Sequence, residues 1–196
     1  LYSAFNEQDE AQFVTQQVEQ WLAKGRRADE AAIIYRTTAQ SRLFEEYLLK
    51  ASIAYRVYGG LRFFERAEIK DALAYLRLCE NREDDASFDR IVNQPPRGIG
   101  ERTLAVVRER ARLQKISLWV SAQSLSEDDT LSARARNALD AFLELINTLA
   151  EELEQLALAE QVEHTVQGAC LREHYAKEKG EKGQARIENL DELVNA

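Results

Sequence analysis

Apolar residues recur every three or four positions through most of this chain, and the departures from that rhythm lie near its start. From Glu7 to Lys24, Ala11, Val14, Val18, Trp21 and Leu22 share one helical face, and Gly25 ends the element. Ala31-Ala32-Ile33-Ile34-Tyr35 is instead a short continuous apolar run, which predicts a buried strand. Leu1 to Phe5 is a further candidate strand. Ser41 to Ala51 returns to the helical period with Leu43, Tyr47 and Leu48, and Tyr55 to Tyr58 predicts the next strand, stopped by Gly59-Gly60. Strands alternating with helices predict a parallel α/β unit, too short for a complete nucleotide-binding domain and so expected to share strands from elsewhere.

Beyond Gly60 the pattern is helical. Ile69, Ala72, Leu73, Tyr75, Leu76 and Cys79 mark one amphipathic helix, and Asp84 or Asp85 can cap the next, with Phe88, Ile91 and Val92 inward. Thr103 to Lys115, Leu118 to Leu125 and a long stretch carrying Leu139, Phe142, Leu143, Ile146, Leu149, Leu153 and Leu156 follow. Shorter segments at Val162–Val166 and Leu171–Tyr175 lead to a charged loop at Glu178–Gly183, expected to be mobile, and a last helix with Ile187, Leu190 and Leu193. The fold class expected is an α/β N-terminal portion with parallel strands, over residues 1–58, followed by a mostly α-helical domain over residues 59–196.

Composition narrows the function. The 196 residues include no Met, so Leu1 is not expected to be a natural start and the chain reads as part of something longer. No apolar run is long enough to cross a bilayer, and no signal peptide is expected. Two distant cysteines, Cys79 and Cys170, make no disulfide framework and fit a reducing cytoplasm. Two histidines, His164 and His174, argue against a zinc site. The net charge of −8 looks unsuited to nucleic acid, but its distribution is uneven. Arg97, Arg102, Arg108, Arg110, Arg112 and Lys115 face only Glu101 and Glu109 in the same stretch, whereas Ala141 to Glu163 holds six glutamates and no Lys or Arg.

The richest chemistry lies after the only two prolines, in Pro95-Pro96-Arg97-Gly98-Ile99-Gly100-Glu101-Arg102-Thr103. Two glycines allow a tight turn and close approach of a ligand, and the following helix would aim its amide hydrogens and positive dipole end outward. A phosphate fits there, with Arg97 and Arg102 adding charge and Ile99 anchoring the loop, as in a helix-hairpin-helix that grips duplex backbone without reading bases. An ordinary helix-helix turn explains the same residues. Arg36, Thr37 and Thr38 sit where a predicted strand meets a helix, an edge where α/β sheets bind ligands, and could touch phosphates. The alternative there is helix capping by Thr38, with Arg36 and Arg42 solvated. Asp29-Glu30 precedes an apolar run instead of following one and is not placed to hold a metal. Phe63 and Phe64 could stack on bases, but read more readily as core. No Gly-x-x-x-x-Gly-Lys-Ser/Thr, no Gly-x-Ser-x-Gly and no histidine beside a nucleophile occur, so the chain alone is expected to catalyse nothing.

These stretches, taken in order, resemble the UvrD/Rep/PcrA helicases of superfamily 1. Ile34 to Arg42, Tyr58 to Arg66 with Glu68 to Leu78, Arg97 to Gly100 with Thr103, and Gly183 to Leu193 resemble successive conserved blocks of that family. The resemblance spans essentially the whole chain. It implies that residues to about Tyr58 belong to a RecA-like domain (2A) and the rest to its helical insertion (2B). It implies a bacterial, cytoplasmic, nucleoid-associated parent that unwinds DNA 3′ to 5′ in repair, using ATP and Mg²⁺ held outside this chain, which carries no cofactor itself. By the same resemblance Arg36, Thr37 and Thr38 face single-stranded DNA, and Arg97, Gly98, Ile99, Gly100, Arg102 and Thr103 face duplex. The family commonly has Asn where this chain has Thr38. A different reading remains: a helical docking or autoinhibitory module whose acidic face contacts repair proteins or the helicase core.

Overall fold

A computed structural model describes residues 1–57 and 62–195. The chain divides into two compact units, Leu1–Arg66 and Ala67–Ala196. The change of period expected at Tyr58-Gly59-Gly60 lies outside the described residues.

In the first unit, α1 (Glu7–Ala23) packs on α2 (Ser41–Lys50). Asn6 caps α1 by accepting from the Asp9 amide at 2.8 Å, and Glu7, Asp9 and Glu10 suit the positive end of its dipole. Gly25, at φ +75°, follows the helix in the left-handed region. Leu43, Leu48 and Phe63 are buried.

The expected α/β portion is not there. Among the described residues there is no strand, and the fold is helical throughout. Residues 1–4, 31–35 and 53–57 have no regular secondary structure, and Ile34 is 94% exposed. The physical reason is that apolar character does not make a strand: a strand exists through its ladder of hydrogen bonds, and none of these segments finds a neighbour to pair with. Residues 31–35 and 53–57 instead line an open apolar cavity of about 590 Å³ with Val18, Phe44 and Leu48.

The second unit contains α3 (Ala67–Glu80), α4 (Asp85–Ile91), α5 (Glu101–Gln114), α6 (Leu118–Glu127), α7 (Ala133–Leu153), α8 (Leu158–Gly168), α9 (Leu171–Ala176) and α10 (Glu181–Val194). The centre is α3, which touches α4, α7, α8 and α10. Ile69, Ala72, Tyr75 and Leu78 are wholly buried. A helix enclosed on several sides also buries its charges, and these are paired. Asp71 binds Arg90 at 2.7 Å and accepts from the Tyr175 hydroxyl, while Glu68 accepts from Asn189 at 2.6 Å. Leu139, Phe142, Leu143, Ile146, Leu149 and Leu153 form the buried stripe of α7, as their spacing requires. Phe142 meets Phe88 edge to face at 5.5 Å, so α4 is tied to the same core. The segment expected to be a loop over Glu178–Gly183 is shorter, because α10 already begins at Glu181.

Candidate nucleic-acid interface

The loop between α4 and α5 is fixed from below and open above. Asp84 caps α4 by accepting from the Ser87 amide at 3.0 Å, and its hydrogen bonds from Ser87 hold its carboxyl below the usual range. The helix ends at Ile91, and the chain passes through a cis Gln94–Pro95 bond. Gly98 lies at φ +82°, in the left-handed region, and Ile99 then turns fully into the core. Gly100 precedes α5 with extended backbone (φ −80°, ψ 164°) and offers no capping side chain. Its carbonyl accepts from the Thr103 and Leu104 amides at 2.9 and 3.1 Å. The amides of Glu101 and Arg102, at the first two helical positions, have no place in the helical ladder. A Cβ built on Gly98 or Gly100 meets nothing within 4 Å, so both glycines face open space.

The side chains around this edge divide sharply. Arg102 is exposed and Thr103 half-buried at the start of α5. Arg97 turns beneath the loop. Its guanidinium donates to the carbonyls of Ile91 at 3.2 Å and Pro95 at 3.0 Å and to the Tyr75 hydroxyl, and lies over the rings of Tyr75 and Phe142. Its own amide donates to Asn93 Oδ1 at 2.7 Å. Arg108 is held by Asp89 at 2.7 Å and by Glu101, Arg110 by Asp128 and Ser124, and Arg112 by Glu109 at 2.8 Å. Asp89 and Asp128 come from outside the basic stretch, so the patch counted along the sequence is largely neutralised in space. Among the described residues, Arg97, Arg102 and Lys115 are the members of that patch that no carboxylate holds, and Arg97 is engaged by carbonyls and the Tyr75 hydroxyl instead.

Tyr75, Gln94 and His174 support the loop and were not singled out by the sequence as functional. The Tyr75 hydroxyl donates to the Gln94 carbonyl at 2.8 Å, and Gln94 Nε2 meets His174 Nε2 at 2.9 Å. Burial pushes the Tyr75 phenol well above its usual range, against the opposing pull of Arg97, so it remains a donor at neutral pH. The available signal was a tyrosine on an apolar helical face, whose hydroxyl must find a partner when buried.

In the first unit, Arg36, Thr37 and Thr38 are all exposed, whereas Arg42, expected to be solvated, is 6% exposed and pairs with Glu46 at 3.2 Å one turn along α2. The capping position belongs to Thr37, not Thr38: Gln40 Oε1 accepts from the Arg36 and Thr37 amides at 3.1 Å each, and Thr38 opens a short 3-10 turn, Thr38–Gln40. Phe63 is fully buried and Phe64 is 55% exposed, so the aromatic pair splits between core and surface. Asp29 pairs with Arg27 in an exposed turn. Among the described residues no group of three or more His, Cys, Asp or Glu is placed to hold a metal, and no helix is long and apolar enough to cross a membrane.

Among the described residues the fold is helical, and its exposed glycine edge has the first amides of α5 behind it, the geometry of a helix N-terminus. Comparison with known proteins gives the family: the chain belongs to the UvrD-like helicase C-terminal domain family, whose model matches residues 1–196. It is 54% identical over 196 residues to DNA helicase II of Escherichia coli (strain K12) and 53% identical to DNA helicase II of Salmonella typhimurium, covering 100% of this chain and 27% of each relative. It is 41% identical over 195 residues to ATP-dependent DNA helicase PcrA of Bacillus subtilis, covering 99% of this chain and 26% of that relative. The chain thus spans about a quarter of the length of these relatives.

Proposed function

We propose that this chain is the part of an ATP-dependent 3′–5′ DNA helicase that holds duplex backbone next to the unwinding site, in a cytoplasmic protein of DNA repair. Residues 1–58 would be part of that helicase's domain 2A and residues 59–196 its helical insertion, 2B. The observation that carries the reading is the open edge at Gly98 and Gly100 above the first amides of α5, in a chain whose relatives are named DNA helicases. A backbone phosphate would accept from the Glu101 and Arg102 amides, with the helix dipole and the Arg102 guanidinium supplying charge. The exposed Arg36, Thr37 and Thr38 would meet single-stranded DNA. ATP and Mg²⁺ would be held by the rest of the parent protein, because this chain has no phosphate-loop sequence.

One observation favours a second reading, a docking module for a repair protein or for the helicase core. Three arginines of the basic stretch, Arg108, Arg110 and Arg112, are already paired with carboxylates. Fluorescence anisotropy of a labelled duplex with a 3′ tail, at about 50 and 200 mM salt, separates the two, because phosphate contacts give a log–log slope of about −0.9 per phosphate neutralised. The decisive variant is Gly100→Asp. Asp is a favoured cap and tolerates the extended backbone of Gly100, so the fold is expected to be kept, while its charge and its capping oxygen repel a phosphate and occupy the amides. The expected result is salt-sensitive binding that Gly100→Asp abolishes. Binding that survives the change removes the glycine edge from the site, and no binding by the unaltered chain favours docking.

A further inference from the structure

We infer that Arg97 is a positioning residue for the duplex-gripping loop, acting through Tyr75, and is not itself a phosphate ligand. The inference rests on the duplex reading above and names the part of the site that gives it its shape. Arg97 adjoins Gly98 and carries the charge a phosphate site would want, yet its guanidinium is engaged by three acceptors beneath the loop. It donates to the carbonyl that ends α4 (Ile91), to a carbonyl within the loop (Pro95) and to the Tyr75 hydroxyl. The planar head lies 5.6 Å from the Tyr75 ring centre and 5.7 Å from that of Phe142. Such a site suits a guanidinium, which presents several donors in one rigid plane, and not an ammonium, which is a compact point charge.

Tyr75 is the second half of the latch. It has no exposed surface, so DNA cannot touch it. Its hydroxyl accepts from Arg97 and donates to the Gln94 carbonyl, at the entrance to the loop. Gln94 is in turn met by His174 of α9, and the Arg97 amide by Asn93. Both ends of the 93–97 segment are therefore tied to α3 and α4, and Gly98 to Gly100 leave that segment in a fixed direction. Rigid support beneath a grip that is open above is what presents backbone amides to a ligand without ordering them at each encounter.

The test uses the full 196-residue chain with Tyr75→Phe, Arg97→Lys and Arg97→Gln, each checked for folding by Trp119 fluorescence. Two readouts are taken: duplex affinity as a function of salt, and amide hydrogen exchange over residues 97–102. Tyr75→Phe keeps the ring and removes only the hydroxyl. It is expected to speed exchange at the loop and to weaken duplex binding about 3- to 10-fold, the value of one or two hydrogen bonds, with an unchanged salt slope. Arg97→Lys is expected to behave like Arg97→Gln, because an ammonium cannot serve three acceptors in one plane. The inference is overturned if Arg97→Gln lowers the salt slope by about 0.9 while Arg97→Lys and Tyr75→Phe bind normally, the pattern of a direct phosphate contact. It is equally overturned if loop exchange is unchanged in Tyr75→Phe and in Arg97→Gln. Should the unaltered chain bind no duplex, the duplex reading fails, and the exchange measurement alone still decides whether Arg97 and Tyr75 hold the loop.

Discussion

At the residue scale the glycines are not equivalent. Gly98 needs its left-handed backbone, so Gly98→Ala is expected to cost about 1–2 kcal/mol in urea unfolding although its Cβ meets nothing. Gly100 needs no special backbone, and Gly100→Asp should add a few tenths of a kcal/mol by capping α5. Stability and duplex binding should therefore move in opposite directions in that variant, which a general loss of structure could not produce. Gly183 is a third case. A Cβ there would lie 2.6 Å from the Tyr175 carbonyl and 2.8 Å from that of Glu178, both backbone atoms, so α10 would have to shift, and Gly183→Ala is expected to cost roughly 1–3 kcal/mol in the same assay. The sequence marked Gly98, Ile99 and Gly100 as a turn because glycine spacing and a following helix are local signals. It could not show the direction of Arg97, which depends on Tyr75 and Phe142, 22 and 45 positions away. Nor could it show why Gly183 is a glycine, because the crowding comes from the carbonyls of Tyr175, in the last turn of α9, and Glu178, just beyond it.

The helices of the second unit were legible as elements because their apolar periods and caps are local, and α7 shows its stripe without ambiguity. Their electrostatics were not, because partners arrive from other elements. The junction of α5, α6 and α7 is an example. Asp128 accepts from the Thr130 amide at 2.9 Å and binds Arg110, and Thr130 and then Arg110 hold its carboxyl at about 2. A carboxyl whose folded value is depressed contributes stability that is present above its unfolded value, near 4, and is lost as pH falls through the folded one. Acid unfolding should therefore include a component between about pH 4 and pH 2, and Asp128→Asn should make the loss of stability across that window shallower by circular dichroism, leaving the share of other depressed carboxyls such as Asp84. The cysteines make a second comparison between elements. Burial raises the Cys79 thiol in α3 to about 11, whereas Cys170 is exposed between α8 and α9. Only a thiolate reacts with iodoacetamide, so mass spectrometry of the folded chain at pH 8 should find Cys170 labelled and Cys79 intact. Equal labelling would mean that α3 opens more readily than its packing implies.

The two units differ in how much they bury, and that difference decides how the whole molecule should unfold. In the first unit the buried apolar residues among those described are Ala11, Ala39, Leu43, Leu48 and Phe63, and the apolar segments 31–35 and 53–57 border a cavity instead of filling one. Much of its interior is polar, centred on Glu45, which accepts from Ser41 at 2.7 Å, Tyr55 at 3.1 Å and the Phe63 amide at 3.2 Å. The second unit buries a continuous set of large side chains on α3, α4, α6, α7, α8 and α9. The absence of the expected strands among the described residues has the same origin: apolar residues are usually buried, but burial needs a partner surface, and Ile34 in the run from Ala31 is left 94% exposed. A unit of this size with so small a core is marginal by itself, so the first should lose structure at lower urea than the second. The chain carries its own reporters, one tryptophan in each unit. Trp21 donates to the Arg27 carbonyl at 3.1 Å in the first, and Trp119 is buried against Arg82 in the second. Trp119→Phe should leave fluorescence that reports the early transition, and Trp21→Phe fluorescence that reports the later one. Coincident midpoints in the two variants would mean that the units unfold together, and the glycine edge would then share the stability of the first unit instead of resting on the larger core alone.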